Sequence, residues 1–325
     1  MNTLHDELAA LRDTAAAGFS ATNLAHSTGP VRRRVRRDRA VTASVGAFAV
    51  IALGAGTAYG VSLGTPDAGL APAGTPSTSP TPEQTDFVGT YAQVTMVAGG
   101  TTDLVAEQLA EVFGVTVSDA RRALDDMVTR DTAGLVTDSE GWIAPGTYSI
   151  STHGSLEEAA DLLTAGRWPQ FAELGIDETN IETLTIASLI EAEVRTDGVT
   201  ADGTSYRAMV SAVITNRLAA DMLLELDSPL FYALDTGGPF TSDDQRSIDS
   251  PYNTYLNRVL PPTPIGNPSV EAIEAALNPA DTDALYFVLL NPDTGEMAFA
   301  SNFEEHLANV EKLQAWYAEN GADQP

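Results

Sequence analysis

The chain has 325 residues, with 45 Asp and Glu against 17 Lys and Arg, a net charge of −28, and no cysteine. The absent cysteine excludes a disulfide framework, a thiolate zinc site and a cysteine nucleophile. Residues 1–64 carry 7 Arg against 4 Asp and Glu, which leaves the remainder near −31, a surface that repels phosphates and speaks against nucleic-acid binding. His5, His26, His153 and His306 have no spacing that sets two on one helix face, so neither a metal nor another cofactor is called for.

Residues 1–40 end in Arg32, Arg33, Arg34, Arg36, Arg37 and Arg39. Residues 41–63 then hold no charge and are mostly Ala, Val, Gly, Ile and Leu, about the ~20 apolar residues that a bilayer-spanning helix needs. The arginines predict a cytoplasmic N-terminus and an extracytoplasmic bulk. A cleaved signal peptide is the rival, but this stretch exceeds the usual ~7–15-residue apolar region. Gly60-Val-Ser-Leu-Gly64 spells a nucleophile elbow by accident, because the strand–turn–helix setting is missing. Residues 64–88, which include Thr75-Pro-Ser-Thr-Ser-Pro-Thr-Pro82, form a linker too poor in apolar residues to bury a core.

An α+β class follows for the rest, in two units at 89–165 and 166–318 with a tail at 319–325. A strand at 91–97, a turn at Gly99-Gly100, a helix at 102–113 stopped by Gly114, a helix capped by Ser118 and running to about 128, and a strand at 146–150 are predicted. This strand–helix–helix–strand order, with Val97-Ala-Gly-Gly-Thr101 and Phe113-Gly-Val-Thr-Val-Ser118, resembles the LysM module, a small glycan-binding fold; a generic α+β spacer is the plainer reading.

A helix at 156–163 and a loop around Trp168 lead into the second unit. Thr179 and Glu182 fit a capping box that opens a helix to 194, apolar nearly all round and therefore buried. Leu184, Ala187, Ser188 and Glu191 share one face, which sets a carboxyl at the end of an apolar stripe, where it can keep a proton for a leaving group. Glu193 points elsewhere, so the two carboxyls are no facing pair. The plain alternative is that Glu191 sits where the helix emerges into water. Asn216 and Arg217 read as a buried polar anchor at a helix end. Residues 247–268 are too rich in Pro, Asn and Tyr for helix or central strand. They predict an ordered loop whose tips (Tyr252, Asn253, Thr254, Tyr255 and Asn267) suit a groove for a polar polymer.

Several segments together resemble the YceG-like endolytic murein transglycosylase family. They are Glu140-Gly-Trp-Ile-Ala-Pro-Gly-Thr-Tyr148, Ile186-Ala-Ser-Leu-Ile-Glu-Ala-Glu193, Val210-Ser-Ala-Val-Ile-Thr-Asn-Arg-Leu218, Met222-Leu-Leu-Glu-Leu-Asp227, Ser250-Pro-Tyr-Asn-Thr-Tyr255, Leu260-Pro-Pro-Thr-Pro-Ile-Gly-Asn-Pro268 and Leu285-Tyr-Phe-Val288. The resemblance implies a membrane-anchored lyase that cuts the MurNAc–GlcNAc β-1,4 bond of nascent peptidoglycan strands, with peptidoglycan synthases as partners. It implies Glu191 as the catalytic residue, and Asp227, Tyr252, Asn253 and Tyr255 as residues that line or brace the groove. This chain departs from the pattern: Ala192 replaces a Lys, Glu225 a Gln and Val259 a Gly, Ser228-Pro229 stands for Pro-Thr, and the stretch Gly295-Glu-Met-Ala-Phe299 lacks a His two residues before Phe. A muramidase that uses Asp227 as second carboxylate and a glycan-binding scaffold with little catalysis stay open as rivals.

Overall fold

The computed structural model describes residues 90–237 and 241–320. The predicted transmembrane span 41–63, the linker 64–88 and the arginine-rich segment lie outside the described residues. Among those described, no helix is long and apolar enough to cross a membrane.

The first unit is built from β1 (Tyr91–Met96), α1 (Thr102–Phe113), α2 (Val117–Asp131), β2 (Gly146–Ser151) and α3 (Leu156–Ala165). The predicted order of strand, two helices and strand is present. β1 and β2 pair antiparallel, from Tyr91 opposite Ser151 to Met96 opposite Gly146. Alternation along β1 sends Val94 and Met96 inward, where they meet Val105 and Leu109 of α1, Leu124 and Met127 of α2, and Leu163 of α3. Each such fully buried side chain contributes roughly 1.5–3 kcal/mol. Gly114 ends α1 in the left-handed region, at φ 65°, as its sequence position predicts. The cap of α2 differs from the prediction. Thr116, two residues before Ser118, accepts from the Asp119 N–H.

The second unit contains α4 (Trp168–Leu174), α5 (Glu182–Glu193), α6 (Tyr206–Ala219), α7 (Ser228–Leu234), the short α8 (Asp243–Arg246) and α9 (Val270–Leu277). It continues with the antiparallel hairpin of β3 (Tyr286–Asn291) and β4 (Glu296–Ala300), and with α10 (Phe303–Asn320). The Trp168 loop of the sequence reading is helical, because Pro169 sits in the first turn, where its missing N–H costs nothing. No capping box opens α5: the Thr179 hydroxyl donates instead to Asp177 at 2.6 Å. The helix is buried along its length as expected, packed against α6, α7 and α9. Asn216 and Arg217 are the predicted anchor. The Asn216 amide donates to the carbonyls of Thr282 and Ala284, and Arg217 to those of Leu223, Leu224 and Leu285.

Two seams join the units. Trp142, from the loop before β2, packs edge-on against Trp168 and Phe171 at 5.3 and 5.1 Å between ring centres. Beside it the fully buried Arg167 donates to the carbonyls of Ile143 and Pro268, both at 3.0 Å, and burial pushes its guanidinium down to about 10. In the second seam, Asn267 of the long loop exchanges backbone hydrogen bonds with the β1–α1 turn, Gly99 N to its carbonyl at 2.8 Å and its N–H to Gly100 O at 2.9 Å. Its side-chain oxygen accepts from Ile143 N at 2.8 Å, and its amide nitrogen lies 3.0 Å from Glu140 Oε1. The approach is close enough that a Cβ on Gly266 would stand 2.6 Å from Gly99 O.

Candidate active site

At the C-terminal turn of α5, Glu191 and Glu193 are two residues apart and so leave the helix about 200° from each other. Glu191 is half-buried and reaches α9. Its Oε2 accepts from the Ser269 N–H at 3.0 Å and from the Ser269 hydroxyl, while that hydroxyl accepts in turn from Ala272 N. A Cβ on Gly99 would touch the Glu191 Cγ at 3.5 Å, so the β1–α1 turn lies over it. A carboxylate at a helix N-terminus that binds that helix's cap is well placed to fasten two helices together.

Glu193 reaches α7 instead and is only 9% exposed. Its Oε1 accepts from the Ser228 hydroxyl at 2.7 Å, while its Oε2 is buried with no hydrogen-bond partner. Burial pushes this carboxyl up to about 8. The Ser228 hydrogen bond opposes the shift, the Asp227 charge reinforces it and Arg195 opposes it. That shift favours the protonated form of Glu193 at neutral pH.

Asp227, just before α7, is fully buried and engaged. Its Oδ1 accepts from the Tyr255 hydroxyl at 2.6 Å and from the Thr241 hydroxyl, and its Oδ2 accepts from Thr241 N at 3.3 Å. Arg246 donates to the Thr241 hydroxyl and lies over the Tyr255 ring at 5.2 Å. Burial, followed by the Asp227 charge, raises the Tyr255 phenol above its ordinary range, so it stays a donor. Through its own carbonyl, which accepts from the N–H groups of Leu230 and Phe231, Asp227 also sets the first turn of α7.

The loop 247–268 is ordered and free of helix and strand, as predicted, but most of its polar tips face inward. Asn253 is fully buried. Its amide donates to the carbonyls of Arg246 and Ile248 at 2.8 and 2.7 Å, and its oxygen accepts from Tyr255 N at 3.0 Å. Asn253 thus braces the loop and has no polar atom left for a sugar, which corrects the expectation that it touches substrate. Thr254 is buried against Leu226, and Asn267 in the seam between the units. Tyr252 and Tyr255 stay half-buried. Tyr252 shares a hydrogen bond with Thr263 at 2.8 Å and packs 5.3 Å from the Tyr232 ring. Tyr232 donates to Glu140 at 3.2 Å. Glu140 also accepts from the first N–H of α1, at Thr102, and burial pushes it up to about 7.

Of the residues singled out in the sequence, the fold joins Tyr255 to Asp227 beside the start of α7, whose Ser228 holds Glu193, and sets Asn253 within the loop behind Tyr255, while Glu191 reaches α9. Glu193 and Ser228 are what sequence reasoning missed. The signal was available: Ile186, Leu189 and Ile190 stand seven, four and three residues before Glu193, an apolar stripe at least as strong as the one leading to Glu191. Met297, where the resemblance calls for His, is buried in the main core.

The YceG-like family profile matches residues 81–312. An endolytic murein transglycosylase of Streptococcus pneumoniae (strain D39) is 35% identical over 181 residues, which cover 53% of this chain and 31% of that protein. One from Bacillus subtilis (strain 168) is 30% identical over 237 residues, covering 68% of this chain and 62% of the relative. Both matches span less than two thirds of the relatives' own length. The crystal structure of a YceG-like protein from Listeria monocytogenes superposes with a TM-score of 0.53 at 28% identity, over 67% of this chain and 75% of that one.

Proposed function

Because the chain belongs to the YceG-like family, we propose that it is an endolytic murein transglycosylase, a lyase that cuts the MurNAc–GlcNAc β-1,4 bond of peptidoglycan and leaves a 1,6-anhydroMurNAc end. Two relatives bear that enzyme's name, in agreement with the motifs of the sequence. The observation that carries the reading is Glu193, a buried carboxyl that burial pushes up to about 8, with Oε1 held by Ser228 and Oε2 without a hydrogen-bond partner.

Protonated Glu193 gives its proton to the glycosidic oxygen as the C1–O bond breaks, and the GlcNAc leaves as an alcohol. The carboxylate then takes the proton of the MurNAc 6-hydroxyl, whose oxygen closes on C1. Protons balance without water, and one carboxyl serves both steps. Hydrolysis would need a second carboxylate free to act as nucleophile or to activate water. Asp227 is engaged through both oxygens by Thr241 and Tyr255, and Glu191 is held through Oε2 alone by Ser269. The resemblance implies Glu191 as the catalytic residue; the local geometry supports Glu193 in its place. In this reading residues 41–63 anchor the chain, the catalytic unit works outside the membrane on nascent strands beside the synthases, and its cuts end glycan elongation. The strand–helix–helix–strand unit holds glycan as a LysM-like module.

Glu193→Gln and Glu191→Gln, digested in parallel against purified sacculi with product masses read, test the assignment. Anhydro ends from wild type and Glu191→Gln, and none from Glu193→Gln, are expected. Loss confined to Glu191→Gln would return the role to Glu191. Reducing ends would mean hydrolysis. Met297, standing where His is called for, favours one competing reading, a glycan-binding scaffold; wild type that binds sacculi and releases nothing would establish it.

A further inference from the structure

We propose that Ser228 is a positioning residue that holds the Glu193 carboxyl through Oε1 in the orientation its proton transfers require. The inference rests on Glu193 as proton donor. A hydroxyl beside a carboxyl can accept from its proton or donate to its oxygen, so it stays bonded to the group in both protonation states. The Ser228 hydroxyl lies 2.7 Å from Oε1, while Oε2, enclosed by the protein, has no hydrogen-bond partner. Once the proton has left, the same hydroxyl supports the carboxylate until it recovers a proton.

Ser228 can do this because its own place is over-determined. It is the first residue of α7, Pro229 stiffens the turn after it, and the Asp227 carbonyl before it binds the N–H groups of Leu230 and Phe231. Asp227 in turn is held by Tyr255 and Thr241. The buried Asp227 network thus acts on the reaction at a distance of one residue, by aiming a hydroxyl. The charged groups acting on Glu193 are Asp227 at the start of α7 and Arg195 just past the end of α5; among the described residues, α6 and α9, also packed on α5, contribute none.

The test compares Ser228→Ala and Ser228→Thr with wild type in the full-length protein, by kcat, KM and pH profile of anhydro-end release from purified glycan strands. A hydrogen bond to a charged or charging group is worth ~10- to 100-fold in rate. Ser228→Ala is therefore expected to lose about that factor in kcat with KM little changed. Without the bond that favours the charged form, the alkaline limb of its profile moves to higher pH. Ser228→Thr, which keeps the hydroxyl, recovers kcat and the wild-type limb. Ser228→Ala with wild-type kcat and limb would overturn the inference, as would a loss that follows melting temperature while the limb stays in place. If the alanine variant does not fold, Ser228→Cys, of similar size and a weaker donor, carries the same comparison. Glu193→Gln separates the two levels. An active Glu193→Gln removes the proton-donor reading itself, whereas an inactive Glu193→Gln beside an unchanged Ser228→Ala removes only the role of Ser228.

Discussion

Replacing Glu193 by Gln should change how folding stability depends on pH, in a direction opposite to that of ordinary carboxylates. In the unfolded chain this carboxyl titrates near 4.5, in the fold near about 8. Between those values the native state holds a proton that the unfolded state has released, so stability falls as pH rises across the window. Below about 4.5 both states are protonated and the group contributes its full stabilisation. The separation corresponds to roughly 5 kcal/mol at 1.36 kcal/mol per pH unit, and even if water entry and relaxation halve it, about 2 kcal/mol remain. Gln cannot ionise. Its amide adds a constant offset, and groups that do not interact with Glu193, Glu140 among them, cancel between the two proteins. Denaturant unfolding of wild type and Glu193→Gln at intervals from pH 5 to 8.5 gives the difference curve, which should climb in favour of the variant by at least about 2 kcal/mol from the acid end to the alkaline end. Parallel curves would refute the buried, protonated carboxyl on which the mechanism rests.

Asn253→Ala leaves two part-buried carbonyls and one N–H without this partner; it should lower stability by about 1–3 kcal/mol, seen as an earlier melt, with turnover per folded molecule retained. Gly266→Ala drives a methyl to 2.6 Å from the Gly99 carbonyl oxygen, so melting should fall by the equivalent of about 1–3 kcal/mol and limited proteolysis should open the seam between the units. His306 is buried against Tyr286 and Phe303, and burial holds its imidazole down to about 4. The unfolded chain therefore binds a proton that the fold refuses as pH drops from about 6.5 to about 4, stability declines across that window, and His306→Phe should flatten the decline in acid-dependent melts.

Periodicity and end signals made α1 legible to the residue, because Gly114 is a left-handed stop and Val105, Ala106 and Leu109 mark the inner face. The cap of α2 was ambiguous because Thr116 and Ser118 are both good capping residues, and packing of Ala120 and Leu124 chose the earlier one. α4 was hidden by Trp168-Pro169, a pair that reads as a break but is permitted in a first turn. At the candidate site, the resemblance pointed to Asp227 and Tyr255, while the spacing argument set Glu193 aside. A helical wheel shows that Glu191 and Glu193 both follow apolar stripes; only tertiary structure shows that one meets a helix cap and the other a lone hydroxyl. Likewise, a polar-rich loop does not say which way its amides point, and here Asn253 and Asn267 point inward.

The Asn267 seam has a thermodynamic consequence. Two cores in one chain would ordinarily allow two melting steps, but separating these two would strip Asn267's hydrogen bonds from the Thr102 hydroxyl at the start of α1, from Ile143 and from the β1–α1 turn at once. It would also take the Ile143 carbonyl from the buried Arg167, and Tyr232 and Asn267 from the buried Glu140. Such a half-open state lies too high to be populated. The chain from residue 90 onward should unfold as one cooperative block, its calorimetric and van't Hoff enthalpies agreeing as they do for a single domain.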